Sequence, residues 1–163
     1  MCNLSFIPLC IAAFCWLITT FTQLQVSVSE SLKGIHYLFV LKNSLFKNSI
    51  QHGDVVYIKD FYPEYVGKKD LAKRIIGLPG DKIVAGLKDL KVIPQKLASH
   101  DTLHLPLLDK TKDEKPLTPL KVHSIPEGYV FVAGDNLRSF DSRYEEFGLV
   151  PMDKIWGKAV LCW

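Results

Sequence analysis

The first 29 residues of this 163-residue chain contain no Asp, Glu, Lys, Arg or His. All twenty basic and all seventeen acidic residues lie from Glu30 onward. That absence argues against an ordinary solvated N-terminal region and divides the chain into two materials. The chain also lacks a basic excess. A net charge of +3 spread over its length is no footprint for nucleic acid, so no nucleic-acid partner is expected. It lacks a disulfide framework too: Cys2, Cys10 and Cys15 sit in or beside the charge-free stretch, and Cys162 is next to last. There is no CxxC and no Cys/His cluster, which argues against a zinc site. His100 and His104 have helix-face spacing without a further ligand pair, so they read as loop histidines and no metal is expected. The length leaves no room for two sizeable domains beside a membrane segment, and the supply of apolar residues excludes disorder.

What is present begins with residues 4–24, LSFIPLCIAAFCWLITTFTQL, an uncharged run of 21 residues. As a helix at ~1.5 Å per residue it would span about 30 Å, the thickness of the bilayer hydrocarbon. Pro8 falls in the first turns, where a helix tolerates it. A cleaved secretory signal is the competing reading. It would want a basic segment before the apolar run and Ala-x-Ala after it, and both are missing. Ser27-Val28-Ser29 is the one small-x-small candidate. The expectation is therefore a retained single-pass transmembrane anchor over residues 1–25, followed by one domain over 26–163. Lys33, Lys42 and Lys47 follow the span, and a simple count of positive charges would leave that domain in the cytoplasm.

After the anchor the pattern is mostly β. Residues 35–41 (IHYLFVL), 55–58 (VVYI), 75–78, 83–84, 129–133 (YVFVA) and 158–162 (KAVLC) are short runs rich in β-branched and aromatic residues. Gly53-Asp54, Pro79-Gly80-Asp81 and Pro126-Glu127-Gly128 punctuate them. Only residues 64–74 hint at a helical turn. From about 86 to 124 the chain is Lys- and Asp-rich, with prolines at 94, 106, 116 and 119, and reads as an inserted, partly irregular excursion. The expected fold is mainly β, a partly open barrel or sandwich carrying this insertion and preceded by one transmembrane helix.

Two segments carry chemistry. Residues 72–81 read AKRIIGLPGD, which sets Lys73 just ahead of a short apolar strand. A lysine there is either a solvated edge residue or a desolvated amine whose pKa falls from about 10.4 toward neutrality, fit to act as a general base. Residues 125–159 read IPEGYVFVAGDNLRSFDSRYEEFGLVPMDKIWGKA. Here Gly134-Asp135-Asn136 makes a turn, Asp141 and Arg143 have the types of an ion pair, and Ser139 and Ser142 offer hydroxyls.

Together the two segments resemble the type I signal peptidase superfamily, membrane proteases built on a Ser/Lys dyad. One motif of that family is a catalytic Lys, then Arg, then Gly-x-Pro-Gly-Asp, matched by Lys73, Arg74 and residues 77–81. Another runs Gly-Asp-Asn, Ser, Asp-Ser-Arg and Gly-x-Val-Pro, matched by residues 134–136, Ser139, 141–143 and 148–151. A closing Gly-x-Ala is matched by Gly157-Lys158-Ala159. The nucleophile of such a protein lies just after the anchor, in SVSESLKGIHY over residues 27–37, and Ser31 fits it. Ser31-Leu32-Lys33-Gly34 is most similar to the Ser-Leu-Pro-Gly motif of the conjugative-transfer (TraF-type) branch, with Lys33 where that branch has Pro. General signal peptidases and mitochondrial-type inner-membrane peptidases carry Met after the serine. Ser29 is the alternative nucleophile, one slip away.

The resemblance implies acyl transfer, in which neutral Lys73 takes the proton of Ser31 and passes it to the leaving amine. It further implies that Ser139 orients the amine and that the Ser31 backbone N–H and the Ser29 hydroxyl hold the oxyanion. Arg74, Asp135, Asp141 and Arg143 become scaffold around the dyad. No cofactor is called for. The implied partners are the lipid bilayer and an exported precursor, with a prepilin and other components of a type IV secretion apparatus as the narrower expectation. The implied location is the inner (plasma) membrane, with the domain on the periplasmic, trans side despite the lysines after the span. A membrane-anchored secretion assembly subunit without catalysis is the reading from another class.

Overall fold

A computed structural model describes residues 11–12, 16, 19–20, 22–26, 31–42, 44, 50–95 and 102–162. Its strands in chain order are β1 (Thr22–Val26), β2 (Tyr37–Lys42), β3 (Val55–Ile58), β4 (Leu71–Gly77), β5 (Lys82–Ala85), β6 (Asp89–Ile93), β7 (Leu103–Pro106), β8 (Tyr129–Ala133), β9 (Val150–Pro151) and β10 (Ile155–Cys162). A 3₁₀ turn, Met152–Lys154, leads into β10. Seven strands form one open sheet in the order β1-β2-β10-β3-β4-β8-β9, and β5-β6-β7 form a second, smaller one. The fold is thus mainly β with open sheets.

The local sequence explains the layering. All four residues of β3 are buried, as a central strand covered on both faces requires. β4 alternates, sending Lys73 and Ile75 inward, and pairs antiparallel with β3 so that Val56 lies opposite Lys73. Lys73 therefore lies on the face of β4 occupied by the cluster of Val56, Ile58, Ile75, Val130, Val132 and Phe147. The opposite face of β8 supplies Phe131 and Ala133, which pack against Ile83, Leu90 and Val92 of the small sheet. A register shift between Ile75 and Gly77 turns the end of β4 toward that second cluster. Gly77 permits the approach, since a Cβ there would sit 2.5 Å from Ile125 Cδ1 and 3.2 Å from Phe131 Cβ.

Three expectations change. Thr22–Val26 is a strand paired antiparallel with β2 from Thr22↔Leu41 to Val26↔Tyr37. The helix expected over 4–24 therefore stops short of Thr22, where TQLQV alternates polar and apolar residues with the period of a strand. Before it, Ile11, Ala12, Trp16, Thr19 and Thr20 are helical, and the rest of the expected span lies outside the described residues. Among the described residues no helix is long and apolar enough to cross a membrane. Second, residues 71–74 belong to β4, so Lys73 sits inside a strand and not ahead of one. Third, the 86–124 excursion contains β6 and β7, and its Leu90, Val92 and Leu120 are core residues. Its charges alternate with buried positions along β6, which is why composition alone made it look irregular.

Candidate active site

Three segments distant in sequence meet at the end of β8. The first is the turn that begins at Ser31. Leu32, 3% exposed, plugs into the cluster of Leu38, Val40, Val55 and Tyr57 and so pins the turn to the sheet. Gly34 takes a φ of +73°, the left-handed conformation that glycine adopts without strain. The second segment is β4, which carries Lys73 and Arg74 side by side on opposite faces. The third is the loop after β8. Gly134 is its contact point: a Cβ there would collide with Ser139 Oγ, 2.6 Å from Ser139 Cβ and 2.7 Å from the Ser31 carbonyl oxygen.

The hydrogen bonds show how each side chain is held. Lys73 Nζ lies 3.0 Å from Ser31 Oγ and 2.7 Å from Ser139 Oγ. The Asn136 backbone N–H donates to the Ser31 carbonyl at 3.2 Å, and its own carbonyl accepts from the Ser139 N–H at 2.9 Å. Asp141 and Arg143, both buried, form a forked pair with Arg143 Nε and Nη2 donating at 2.8 and 2.9 Å. Arg143 Nη2 also donates to the Ser139 carbonyl at 2.7 Å, and Asp141 accepts from the Gly134 N–H at 2.9 Å. This pair therefore fixes both ends of the loop that presents Ser139. Arg74 grips Asp135 through two bonds of 2.8 Å, and its third nitrogen donates to the Gly53 carbonyl at 2.9 Å.

Burial sets the electrostatics. Lys73 is 3% exposed, and that desolvation lowers its pKa from 10.5 to about 8. The Asp141 carboxylate pushes back upward and the Arg143 guanidinium downward, and the net shift is down. The Arg74 bonds hold Asp135 below the usual carboxylate range, and the Lys33 backbone N–H adds to the effect. A proline at position 33 would lack that donor.

Of the residues singled out in the sequence, Ser31, Lys73, Ser139, Asp141 and Arg143 come together, with Arg74 and Asp135 beside them. Ser29 lies outside the described residues. Ser31, Asn136, Ser139 and Phe140 line an open cavity of about 440 Å³, large enough for several residues of an extended peptide. A desolvated amine between two hydroxyls that line a cleft is an arrangement suited to proton transfer from a serine. Among the described residues no cluster of metal-binding side chains accompanies it.

The family model for signal peptidase, peptidase S26, matches residues 2–163. The chain belongs to that family. It is a serine endopeptidase of the signal peptidase I type. Signal peptidase I of Bacillus caldolyticus is 32% identical over 139 residues, covering 81% of this chain and 71% of that protein. Mitochondrial inner membrane protease subunit 1 of Saccharomyces cerevisiae is 35% identical over 127 residues, covering 76% of this chain and 55% of that protein. A crystal structure of a signal peptidase I from Enterococcus faecalis V583 aligns with a TM-score of 0.42 at 24% identity, covering 68% of this chain and 97% of that one.

Against this peptidase frame, sequence reasoning overlooked three supporting residues. Asp81, 2% exposed, accepts from the Leu78 and Gln95 N–H groups at 2.8 and 2.9 Å and lies 2.6 Å from His52 Nε2. It ties the turn after β4 to two other segments. Its place in the Gly-x-Pro-Gly-Asp motif was the available signal. Leu32 and Asn136 are the others; both stand inside the quoted motifs, but their roles depend on contacts that motif spacing does not show.

Proposed function

We propose that this chain cleaves signal or pro-segments from exported precursor proteins, with Ser31 as nucleophile and neutral Lys73 as general base. The observation that supports it is the buried Lys73 amine 3.0 Å from Ser31 Oγ and 2.7 Å from Ser139 Oγ. As Oγ attacks the scissile carbonyl carbon, its proton moves to Nζ, and the C–N bond then breaks as Nζ returns the proton to the departing amine. Water, deprotonated by the same amine, hydrolyses the acyl-enzyme. The Ser31 N–H and the Ser29 hydroxyl are assigned to the oxyanion, and Ser139 to the orientation of Nζ. Arg74, Asp135, Asp141 and Arg143 hold the frame.

The residues before β1 serve in this reading as a single-pass anchor in the inner (plasma) membrane, with the peptidase domain on the periplasmic, trans side. The narrower role, maturing a pilin or another conjugative secretion component, is supported by Ser31-Leu32-x-Gly34 alone. Neither named relative is a conjugative-transfer peptidase by name, and both favour general or mitochondrial-type precursor cleavage. The test is a signal-bearing precursor incubated with wild type and with Ser31→Ala. Cleavage by the first and none by the second is expected. Intact precursor in both would overturn the proposed substrate class and the roles given to Ser31 and Lys73.

A further inference from the structure

The cavity that holds Ser31 does not end at the candidate dyad. Lys112 and Arg138 line it as well. A second cavity of about 310 Å³ shares Lys112, Arg138 and Phe140 with the first and adds Lys69, Lys115 and Tyr65. The two volumes adjoin through those shared residues. Four cations thus line the trough formed by the two adjoining cavities, with Asp113 the one carboxylate in the lining and Glu64 and Glu146 acting on Tyr65 at the end away from Ser31. None of the four takes part in an ion pair among the described residues.

The trough is built on held backbone. Lys112 and Lys115 sit on a tight excursion closed by Thr111 N–H to Lys115 O at 2.9 Å and Leu117 N–H to Asp109 O at 3.0 Å. Lys115 Nζ lies 4.8 Å from the Tyr65 ring centre, and Tyr65 stacks on Phe140 at 5.4 Å. The Arg138 N–H donates at 2.9 Å to Asn136 Oδ1, and the Asn136 N–H holds the Ser31 carbonyl. Like charges fixed on a concave surface raise the local concentration of an oppositely charged ligand.

We propose that this trough is a substrate subsite for an acidic segment of the precursor near the scissile bond, and that residues 109–117 of the insertion supply one wall of it. The inference rests on the assignment of Ser31 as nucleophile. A peptide is favoured over a membrane surface because the basic residues line a concavity continuous with Ser31, whereas a bilayer presents a flat sheet of headgroups.

The test uses the full chain and precursors that differ only in an Asn-Gln or an Asp-Glu pair, walked along both sides of the cleavage site. At low ionic strength at least one acidic placement should raise kcat/KM by about five- to thirtyfold, a gain that shrinks in ~0.5 M salt. The double variant Lys112→Glu/Arg138→Glu should abolish or invert that preference. Lys88→Glu, an exposed charge reversal outside the trough, should keep it. Cleavage at one rate whatever the placement overturns the subsite alone, and no cleavage of any precursor overturns the nucleophile assignment with it. If the double variant keeps the acidic preference but loses binding to phosphatidylglycerol vesicles, the patch faces lipid and the proposal fails.

Discussion

Lys73 and Arg143 are both buried cations, 3% and 2% exposed, on neighbouring segments of one site, yet their environments differ sharply. Arg143 is matched by Asp141 in a two-bond fork, and its remaining donors meet the carbonyls of Ser139, Pro106 and Leu137. Burial alone would lower its pKa, but the bonds and charge of Asp141 outweigh it, so the guanidinium stays charged. Lys73 has two hydroxyls and the Phe147 ring centre 5.9 Å away, and among the described residues no carboxylate bonds to it. Its pKa falls to about 8. Two buried cations thus differ, one held charged and one with a lowered pKa, according to whether a counter-charge is bonded to them.

The sharpest way to break this contrast is to remove the base. Lys73→Ala and Ser31→Ala are each expected to lower kcat/KM on a signal-bearing precursor by about 10⁴-fold or more, while circular dichroism stays near wild type. A Lys73→Ala protein that kept a tenth of its rate would end the assignment. Removing the scaffold cation instead should act on stability. Arg143→Ala leaves Asp141 buried and unpaired, a loss of about 3–5 kcal/mol in urea unfolding.

The titration comes next in size. The proposed mechanism requires neutral Lys73, so kcat/KM should climb toward tenfold per pH unit well below a pKa of about 8 and level off above it, roughly fiftyfold between pH 6 and 8. A profile flat from pH 6 to 9 would mean that Lys73 is not the base. The smallest effect concerns folding. The folded pKa of Lys73 lies below the unfolded value of 10.5, so in that window the unfolded chain binds more protons and stability rises with pH. Below pH 8 the buried ammonium is a penalty. Lys73→Met should therefore be inactive yet more stable than wild type at pH 7, by on the order of 2 kcal/mol, with the gain shrinking between pH 8 and 10.5. Equal unfolding free energies across that range would show that the ammonium is not penalised by burial.

Much of the fold was legible because short strands announce themselves locally. VVYI and YVFVA are β3 and β8 with the expected bounds, since β-branched and aromatic runs between Gly or Pro turns admit few other conformations. Thr22–Val26 was hidden by its lack of charge, a property shared by membrane helices and by this strand. The strands of the 86–124 segment were hidden by their lysines and aspartates, which alternate with core residues along β6. The site residues stood out through motif resemblance. Ser31 and Lys73 lie 42 positions apart and Lys73 and Ser139 lie 66 apart, so no local pattern states that they touch.

The sequence by itself determined the family, the mainly β character and the identity of the side chains available for chemistry, because motif spacing and residue type are local facts. The tertiary structure decided which of those side chains meet and what their surroundings do to them. Packing on the β4 face strips water from Lys73 and leaves it facing hydroxyls, while the loop after β8 brings Asp141 to Arg143. Desolvation and counter-charge depend on what surrounds a group in space, and the chain acquires those surroundings only when its distant segments are packed together.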